Sequence, residues 1–244
     1  SNVTDMSGMF QGASLFDINI SGWNVSSVRN MSEMFQNASG FNQDISSWNV
    51  SNVTDMSGMF QNASGFDEIL TWYEDDSDNL SGVDMTNMFD KAGDGYIRFT
   101  PADRTKLKWA VNLYVTQDYT FIAGFGHINN WNVSKVDDMS GLFANKQSFN
   151  ENISDWDVSN VTNMSGMFLN ASDFNENISD WNVSKVDDMS GMFQGASSFN
   201  GDISSWNVSS VTNMSDMFLG ASSFDINISG WNVSSVRNMS EMFQ

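Results

Sequence analysis

Apolar residues in this chain recur in a fixed order, which residues 45–66 show most clearly. Residues 48–51 alternate apolar and polar side chains, which predicts a short strand with the apolar side chains facing a core and Asn49 facing water. From residue 53 to residue 63 the apolar positions step by three and four, which predicts a turn or two of α-helix or 3₁₀ helix. No single period fits the whole unit, so the chain must change structure within each copy.

The same unit returns every 25 residues along most of the chain. The tryptophans that mark it are Trp23, Trp48, Trp131, Trp156, Trp181, Trp206 and Trp231. A period of this length is typical of a solenoid, in which each copy stacks on the one before it. Stacking would place the short strands in a parallel ladder, about 4.8 Å per coil, and would align identical side chains in columns. We therefore expect these tryptophans to be buried and the Asn or Asp that follows each one to be exposed.

The order of residues within the unit resembles that of a known family. Val-x-x-Met-x-x-Met-Phe-x-x-Ala-x-x-Phe-Asn, followed by Asp-Ile-Ser-x-Trp-Asn-Val-Ser, is similar to the repeats of the BspA-like branch of leucine-rich-repeat surface proteins, over about three quarters of the chain. The resemblance implies a curved, parallel β-solenoid displayed at a cell surface, and it implies no chemistry. We therefore predict a mainly β repeat protein, a right-handed parallel β-solenoid of leucine-rich-repeat type with 25-residue coils, interrupted by one helical capping insert.

A second, longer period of 208 residues also runs through the chain. Residues 16–36 and residues 224–244 are identical, and the longer period keeps the 25-residue period in register. We expect one superunit plus an overlap. Neither end carries a polar capping coil, which a finished solenoid needs to cover its apolar end faces, so the sequence predicts a fragment of a longer array.

The pattern predicts three parts. They are a first set of repeats at residues 1–95, a helical cap or junction at residues 96–130, and a second set of repeats at residues 131–244. Residues 85–93 repeat the Met-x-x-Met-Phe pattern in divergent form, so the first set should continue past its last regular copy. An acidic loop at residues 74–78 precedes them and is expected to be solvated.

A helix is predicted within the interruption, over residues 101–116. Thr100 has the side chain of an N-cap residue, Pro101 suits the first helical position, and Asp103 is favourable in the first turn. The residues that would share one face of this helix are Leu107, Ala110, Val111 and Tyr114. Such a helix can cover the open end of the coil that follows it, and residues 99–127 resemble the N-terminal caps of the family's repeats.

One stretch has some features of an EF-hand calcium loop. Asp90, Asp94 and Gly95 fit positions 1, 5 and 6 of such a loop. Ala92 and Pro101, however, stand at positions 3 and 12, where the loop needs oxygen ligands. We therefore predict no cofactor and no specific metal site, and we expect only nonspecific calcium binding by an acidic protein.

The chain carries 30 acidic and 10 basic residues, a formal net charge of −20. This excess of carboxylates argues against polyanionic partners, namely nucleic acid and anionic membrane surfaces. No apolar run approaches the roughly 20 residues of a membrane span, so no direct membrane insertion is expected. The chain has no cysteine, which leaves the compartment undecided by that route.

No group of residues suggests catalysis. His127 is the only histidine, and the repeated Ser and Asp residues have no base beside them that could activate a nucleophile. The neighbouring carboxylates Asp137-Asp138 and Asp187-Asp188 are expected to point in different directions on a solvated face. We predict that the protein is not an enzyme and that His127 is structural.

Asn-x-Ser/Thr sequons occur in nearly every unit and mark candidate N-glycosylation sites on an extracellular chain. The candidates that follow the repeated tryptophans are Asn24, Asn49, Asn132, Asn182, Asn207 and Asn232. The family pattern usually has Asp at this position, as Asp157 is here, whereas six of the seven intact units have Asn. The alternative is that the sequons follow from the repeat itself, and the sequence leaves both interpretations open.

The sequence favours an extracellular structural protein, either secreted or at the cell surface. Copies of the 208-residue superunit would follow one another along a fibre or surface appendage, with N-linked glycans attached. The alternative is a surface adhesin or binding module that recognises a glycan or protein through the exposed Asn/Ser ladder. Ice binding is disfavoured, because that activity requires a flat, regular array of Thr, whereas the ladder here consists of Asn and Ser.

Overall fold

The structure is a computed structural model that describes residues 3–72, 83–93, 96–97, 99–116 and 125–243. Its regular elements are strand β1 (Ile69–Leu70), strand β2 (Tyr96–Ile97), helix α1 (Arg104–Val115) and a 3₁₀ helix (Ile128–Asn130). β1 and β2 pair in parallel, with Ile69 opposite Tyr96. The rest of the described chain consists of turns, bends, isolated bridges and segments without regular secondary structure. The acidic loop predicted at residues 74–78 lies outside the described residues.

The prediction of a mainly β, right-handed parallel β-solenoid is wrong. The strands of the described residues are β1 and β2, two residues each, while residues 48–51 form no strand and residues 53–63 are largely turns. Each copy folds back through turns closed by Asn or Asp side chains and through left-handed residues such as Gly58 (φ 61°) and Asn62 (φ 58°). These turns interrupt the chain so often that neighbouring copies meet at isolated bridges instead of continuous strand pairs.

The 25-residue repeat appears in the structure as stacked copies, here called layers. Backbone hydrogen bonds join successive layers; the Phe35 N–H, for example, donates to the Met59 carbonyl at 2.8 Å. The residues that form one parallel bridge per layer are Asp5, Asn30, Asp55 and Asp84 in one stack and Asp138, Asn163, Asp188, Asn213 and Asn238 in the other. Residues 85–93 do form a layer, because the Phe60 N–H donates to the Met88 carbonyl at 2.8 Å.

The core consists of columns of identical side chains. The Phe35 and Phe60 rings stack with centroids 5.5 Å apart, and Phe41 stacks on Phe35 at 3.9 Å. Trp48, Trp131, Trp156, Trp181, Trp206 and Trp231 are 2–8% exposed, as expected. Trp23 is 37% exposed, against the expectation. Trp23 belongs to the first layer of the described chain, so no earlier tryptophan covers it. Trp131 also begins a set of repeats, but it packs against Phe99 with ring centroids 5.0 Å apart.

The chain divides into two compact units. Unit 1 comprises Ser1–Thr100 and Thr116–Trp131, and unit 2 comprises Pro101–Val115 and Asn132–Gln244. Helix α1 therefore belongs to the same unit as the second set of repeats, and the segment after it belongs with the first set. Residues 96–130 are shared between the two units.

Helix α1 begins three residues later than the sequence predicts. Asp103, and not Thr100, is the N-cap, because its carboxylate accepts a hydrogen bond from the Lys106 N–H at 3.0 Å. Thr100 is buried, and within the described residues its hydroxyl has no hydrogen-bond partner. Asp103 caps the helix because it lies one residue before the first helical residue. Thr100 precedes a proline, and the residue before a proline favours an extended backbone. Of the predicted helix face, Leu107, Ala110 and Val111 are buried and Tyr114 is half-buried.

The helix closes the first layer of unit 2. In later layers a carbonyl such as that of Ser165 accepts a hydrogen bond from the preceding layer, here from the Gly141 N–H at 2.9 Å. Ser140 holds the same place in the first layer, and its carbonyl accepts from Nε and Nη2 of Arg104 at 2.9 and 2.6 Å. The Arg104 guanidinium also lies 3.8 Å from the Asp138 carboxylate. One side chain of α1 thus replaces the donors that a preceding layer supplies elsewhere.

Candidate functional surfaces

The repeated Asn-x-Ser segments are closed turns. In each, the Asn Oδ1 accepts a hydrogen bond from the N–H of the Ser two residues later, at 3.1 Å for both Asn24 and Asn49. The Ser hydroxyl donates to the same oxygen at 2.7 Å in both turns. The corresponding N–H bonds of Asn132, Asn182, Asn207 and Asn232 measure 3.2–3.3 Å. The Asn side chain is therefore part of the fold, in the manner of an Asx-turn.

These turns place the predicted glycosylation candidates at the surface. Asn24, Asn49, Asn182, Asn207 and Asn232 are exposed, and Asn132 is half-buried. Asp157 makes the same turn as the asparagines, accepting from the Ser159 N–H at 3.0 Å. Because a carboxylate and an amide oxygen accept the same hydrogen bonds, the turn itself does not require Asn.

Charge repulsion gives a separate reason for exchanging Asp and Asn. The bridging residues of unit 2 begin Asp138, Asn163, Asp188, Asn213, so that carboxylates alternate with neutral amides from layer to layer. Two carboxylates about 5 Å apart would repel each other, and alternation keeps them two layers apart. In unit 1 the last bridge joins Asp55 to Asp84, which departs from this alternation.

Hydrogen bonds from the turns shift the pKa of several carboxyl groups. The Ser159 hydroxyl and then the Ser159 N–H, both donating to the carboxylate, lower the pKa of Asp157 below its usual value. The Ser204 hydroxyl and N–H lower the pKa of Asp202 in the same way. Asp157 therefore contributes stability that is present above its unfolded-state pKa and is lost as the pH falls through its folded-state pKa.

Replacing Asp157 by asparagine is expected to leave the free energy of unfolding at neutral pH within about 0.5 kcal/mol of the wild type, because the turn keeps its acceptor. Asp157→Ala removes the acceptor and should lower it by about 1 kcal/mol. Urea unfolding at neutral pH measures both. On acidification to about pH 2, Asp157→Asn should lose less stability than the wild type. Equal losses would contradict the role assigned to the carboxylate.

Side chains at equivalent positions of successive layers form ladders that the sequence interpretation missed. The Asn42 N–H donates to Asp17 Oδ1 at 3.0 Å, and the Asp67 N–H donates to Asn42 Oδ1 at 2.9 Å. On another face of unit 1, Gln36 Nε2 donates to Gln61 Oε1 at 2.7 Å. The signal that could have revealed them is an Asn, Asp or Gln recurring at the same place in consecutive units.

Hydrogen bonds within the fold engage three of the polar residues singled out from the sequence: His127, Asp138 and Asp188. His127 Nδ1 accepts from the Asn129 N–H at 3.2 Å and caps the 3₁₀ helix. Asp137 is exposed, whereas Asp138 is half-buried and accepts from the Ser140 N–H at 2.8 Å, so this neighbouring pair points in different directions as expected. The pair Asp187-Asp188 repeats this arrangement, with the Ser190 N–H donating to Asp188 at 2.8 Å.

The structure describes part of the apparent EF-hand loop. Asp90 accepts a hydrogen bond from Gln61 Nε2 at 3.2 Å, as part of the Gln ladder of unit 1. Asp94 and Gly95 lie outside the described residues. Within the described ranges, no group of three or more His, Cys, Asp or Glu residues could hold a metal ion.

Unit 2 has a shallow groove of about 390 Å³ that crosses its layers, here called the unit 2 groove. Three glycines with left-handed backbone conformations line it in successive layers: Gly141, Gly166 and Gly191. The other lining residues are Ala144, Ser165, Leu169, Ser190, Gln194, Ser215 and Asp216. Asp216 occupies the glycine position of the next layer, with φ 59°.

The same surface of unit 1 is covered by its own side chains. A Cβ atom on Gly58 would lie 3.5 Å from Glu33 Cγ, 3.7 Å from Gln36 Nε2 and 3.8 Å from Gln61 Oε1. Glu33 also accepts a hydrogen bond from Gln11 Nε2 at 2.9 Å. Three side chains thus surround this position at Gly58 of unit 1, whereas among the described residues of unit 2 only Leu169 lies near it at Gly166 and only Gln194 at Gly191.

These features define a tandem-repeat protein of stacked, turn-rich layers. The chain belongs to the family described as Mycoplasma protein of unknown function, DUF285, whose match covers residues 1–96, 115–206 and 177–244. No curated protein and no solved structure shows significant similarity to the chain. Among the described residues, no helix has the length and apolar character needed to span a lipid bilayer.

Proposed function

We propose that the protein is a non-enzymatic structural component of a surface appendage or extracellular fibre, in which superunits of 208 residues follow one another. The observation that carries this proposal is the identity of residues 16–36 with residues 224–244. Repetition at this length, in register with the 25-residue layers, is what a chain built from tandem superunits requires.

The hydrogen bonds around the two identical segments support the proposal. In unit 1 the Asn30 carbonyl accepts from the Met6 N–H at 2.9 Å, and in unit 2 the Asn238 carbonyl accepts from the Met214 N–H at 2.8 Å. The Met242 carbonyl likewise accepts from the Phe218 N–H at 3.0 Å. The same bonds recur from layer to layer in both units, so the 208-residue period leaves the bonding between layers unbroken. Each added layer can make the same contacts as the last, so length is not limited by the fold.

The surface location is part of the proposal. It rests on the likeness of the repeats to BspA-like surface proteins and on the sequons. The turn hydrogen bonds engage Oδ1 of Asn24 and Asn49, and a glycan would attach to the other side-chain atom, Nδ2. These residues are exposed, so the folded protein has room for a glycan there.

A second candidate function is adhesion to a glycan or protein. The observation that favours it is the recurrence of exposed Asn-x-Ser turns at layer spacing, which presents a row of amide groups to solvent. Extended surfaces of repeat proteins commonly serve as binding faces.

Electron microscopy of native material tests the proposal. We expect a fibre whose axial repeat corresponds to one superunit, and an intact mass that falls after glycosidase treatment. Isolated particles with the mass of a single superunit would refute the fibre. An unchanged mass would show that the chain carries no such glycans and would not contradict the fibre. Saturable binding of a glycan or protein by isolated particles would favour adhesion.

A further inference from the structure

We propose that two copies of the chain pair through the unit 2 groove, in an antiparallel arrangement related by a two-fold axis. Gly141, Gly166 and Gly191 carry no side chain at this position of three successive layers, so another surface can approach the backbone at Gly141 and Gly166, while Gln194 Oε1 lies 3.2 Å from the place of a Cβ atom on Gly191. The groove repeats at the layer spacing. A second copy of the same groove has the same spacing and can match it over several layers.

Three serines line the groove, and their hydroxyls have no hydrogen-bond partner among the described residues: Ser165, Ser190 and Ser215. Ser215 lines the groove and is 9% exposed. Its N–H donates to Asn213 Oδ1 at 3.2 Å, and its hydroxyl makes no hydrogen bond to the described residues. In unit 1, by contrast, the equivalent hydroxyl of Ser57 donates to Asp55 at 2.7 Å. The hydroxyls of the three groove serines face the groove surface, where they can bond to a second copy that packs against it.

The two ends of the groove carry opposite charges. At the first layer, a Cβ atom on Gly141 would lie 4.0 Å from Nη2 of Arg104 and 4.0 Å from Nζ of Lys108. Three layers further on, Asp216 lines the groove. Lys108 and Asp216 are half-buried, and the side-chain charges of both have no ion-pair partner among the described residues. A two-fold axis between the second and third layers would bring Lys108 of each copy to Asp216 of the other.

This pattern selects a second copy over other occupants. A two-fold interface must be self-complementary, and this one is, because the contact between Lys108 of one copy and Asp216 of the other forms twice. The chain carries a net charge of −20, so two copies repel except where a surface offers compensating charges. The unit 2 groove offers such compensating charges, because Asp216 of each copy would lie opposite Lys108 of the other.

A groove of this size supports only weak pairing of single chains. A stable interface usually buries about 800 Å² on each partner, which is more than a shallow groove across four layers provides. Tandem superunits would repeat the contact along a fibre, and linked contacts strengthen one another without any new interaction. The pairing would therefore join fibres side by side, in addition to the end-to-end order of the superunits.

Variants that exchange the charges of the groove test the antiparallel pairing. Sedimentation velocity of the 244-residue chain, at low salt and increasing protein concentration, measures the dimer. The wild type should form a dimer and stop there. Lys108→Glu and Asp216→Lys should each weaken the dimer by about tenfold or more, because each places like charges at both ends. An equimolar mixture of the two variants should dimerise again, since both contacts are then attractive. Lysine is compatible with the left-handed backbone of this position, as Lys91 has φ 54°.

Two further variants complete the test. Asp180→Lys makes the same charge change at an exposed position outside the groove and should leave the dimer intact. Leu169→Gln places a glutamine beside Gln194, as in the Gln ladder of unit 1, and should abolish the dimer at an unchanged melting temperature. A wild-type chain that stays monomeric, or a dimer indifferent to the charge exchange, would overturn the pairing. Either result leaves the native fibre untouched, because end-to-end assembly does not use the groove.

Discussion

Replacing Trp181 by alanine is expected to lower the free energy of unfolding by about 3–5 kcal/mol. Trp181 is 4% exposed, and its ring lies 6.4 Å from that of Phe168. Its indole N–H donates to the Ile153 carbonyl of the preceding layer at 3.2 Å. The substitution therefore opens a cavity in the core and removes a bond between two layers. Urea unfolding and calorimetry of the purified chain measure the loss.

Trp23→Ala is the matched control. It makes the same change in a layer where the tryptophan is 37% exposed, so less apolar surface is lost and the cost should be clearly smaller. Trp181→Phe separates the two contributions, because it retains an aromatic ring and removes the indole N–H. Equal losses for Trp23→Ala and Trp181→Ala would show that burial in the stack is not what makes Trp181 important.

Replacing Gly65 by alanine is expected to lower the free energy of unfolding by about 1–3 kcal/mol. A Cβ atom on Gly65 would lie 2.5 Å from the Ser39 carbonyl oxygen of the preceding layer. The obstacle is backbone, which cannot turn aside as a flexible side chain could. The layers would have to separate locally to make room, which strains the hydrogen bonds between them. Thermal and urea unfolding of the variant give the size of the effect.

Gly22→Ala is the control for this second experiment. Nothing lies within 4 Å of the position that a Cβ atom on Gly22 would occupy. Both substitutions restrict the unfolded chain equally, which by itself stabilises the fold by about 0.4–1 kcal/mol. Gly22→Ala should therefore be neutral or slightly stabilising. If Gly65→Ala were equally harmless, the close approach of the layers at this position would be wrong.

The interior of the layers could be predicted from the sequence with good accuracy. Trp48 and Trp206 are buried and Asn49 and Asn207 are exposed, as the alternation of apolar and polar residues indicates. The divergent copy at residues 85–93 was also predictable. Each layer packs on a near-copy of itself, so the positions that must be apolar are the same in every unit, and the sequence shows them directly.

The secondary structure within the layers could not be predicted from that pattern. Alternating residues such as Trp48-Asn49-Val50-Ser51 suit a strand, yet the Asn49 side chain bonds to the Ser51 N–H and closes a turn. Such local bonds compete with strand pairing, and the apolar pattern does not record which of the two prevails. For the same reason the position of the helix start, at Asp103 instead of Thr100, depended on which side chain reached the first turn.

The sequence by itself determined the 25-residue and 208-residue periods, the burial of the repeated apolar side chains and the family. Only the tertiary structure decided that the layers are built from turns, that Arg104 closes the first layer of unit 2, and that a shallow groove crosses the layers of unit 2 along Gly141, Gly166 and Gly191. The reason is physical. Periods and burial depend on the kind of residue at each position. The turns and the helix start depend instead on which of several local side-chain bonds forms, and the closure by Arg104 and the groove depend on residues 25 or more apart that come within contact distance.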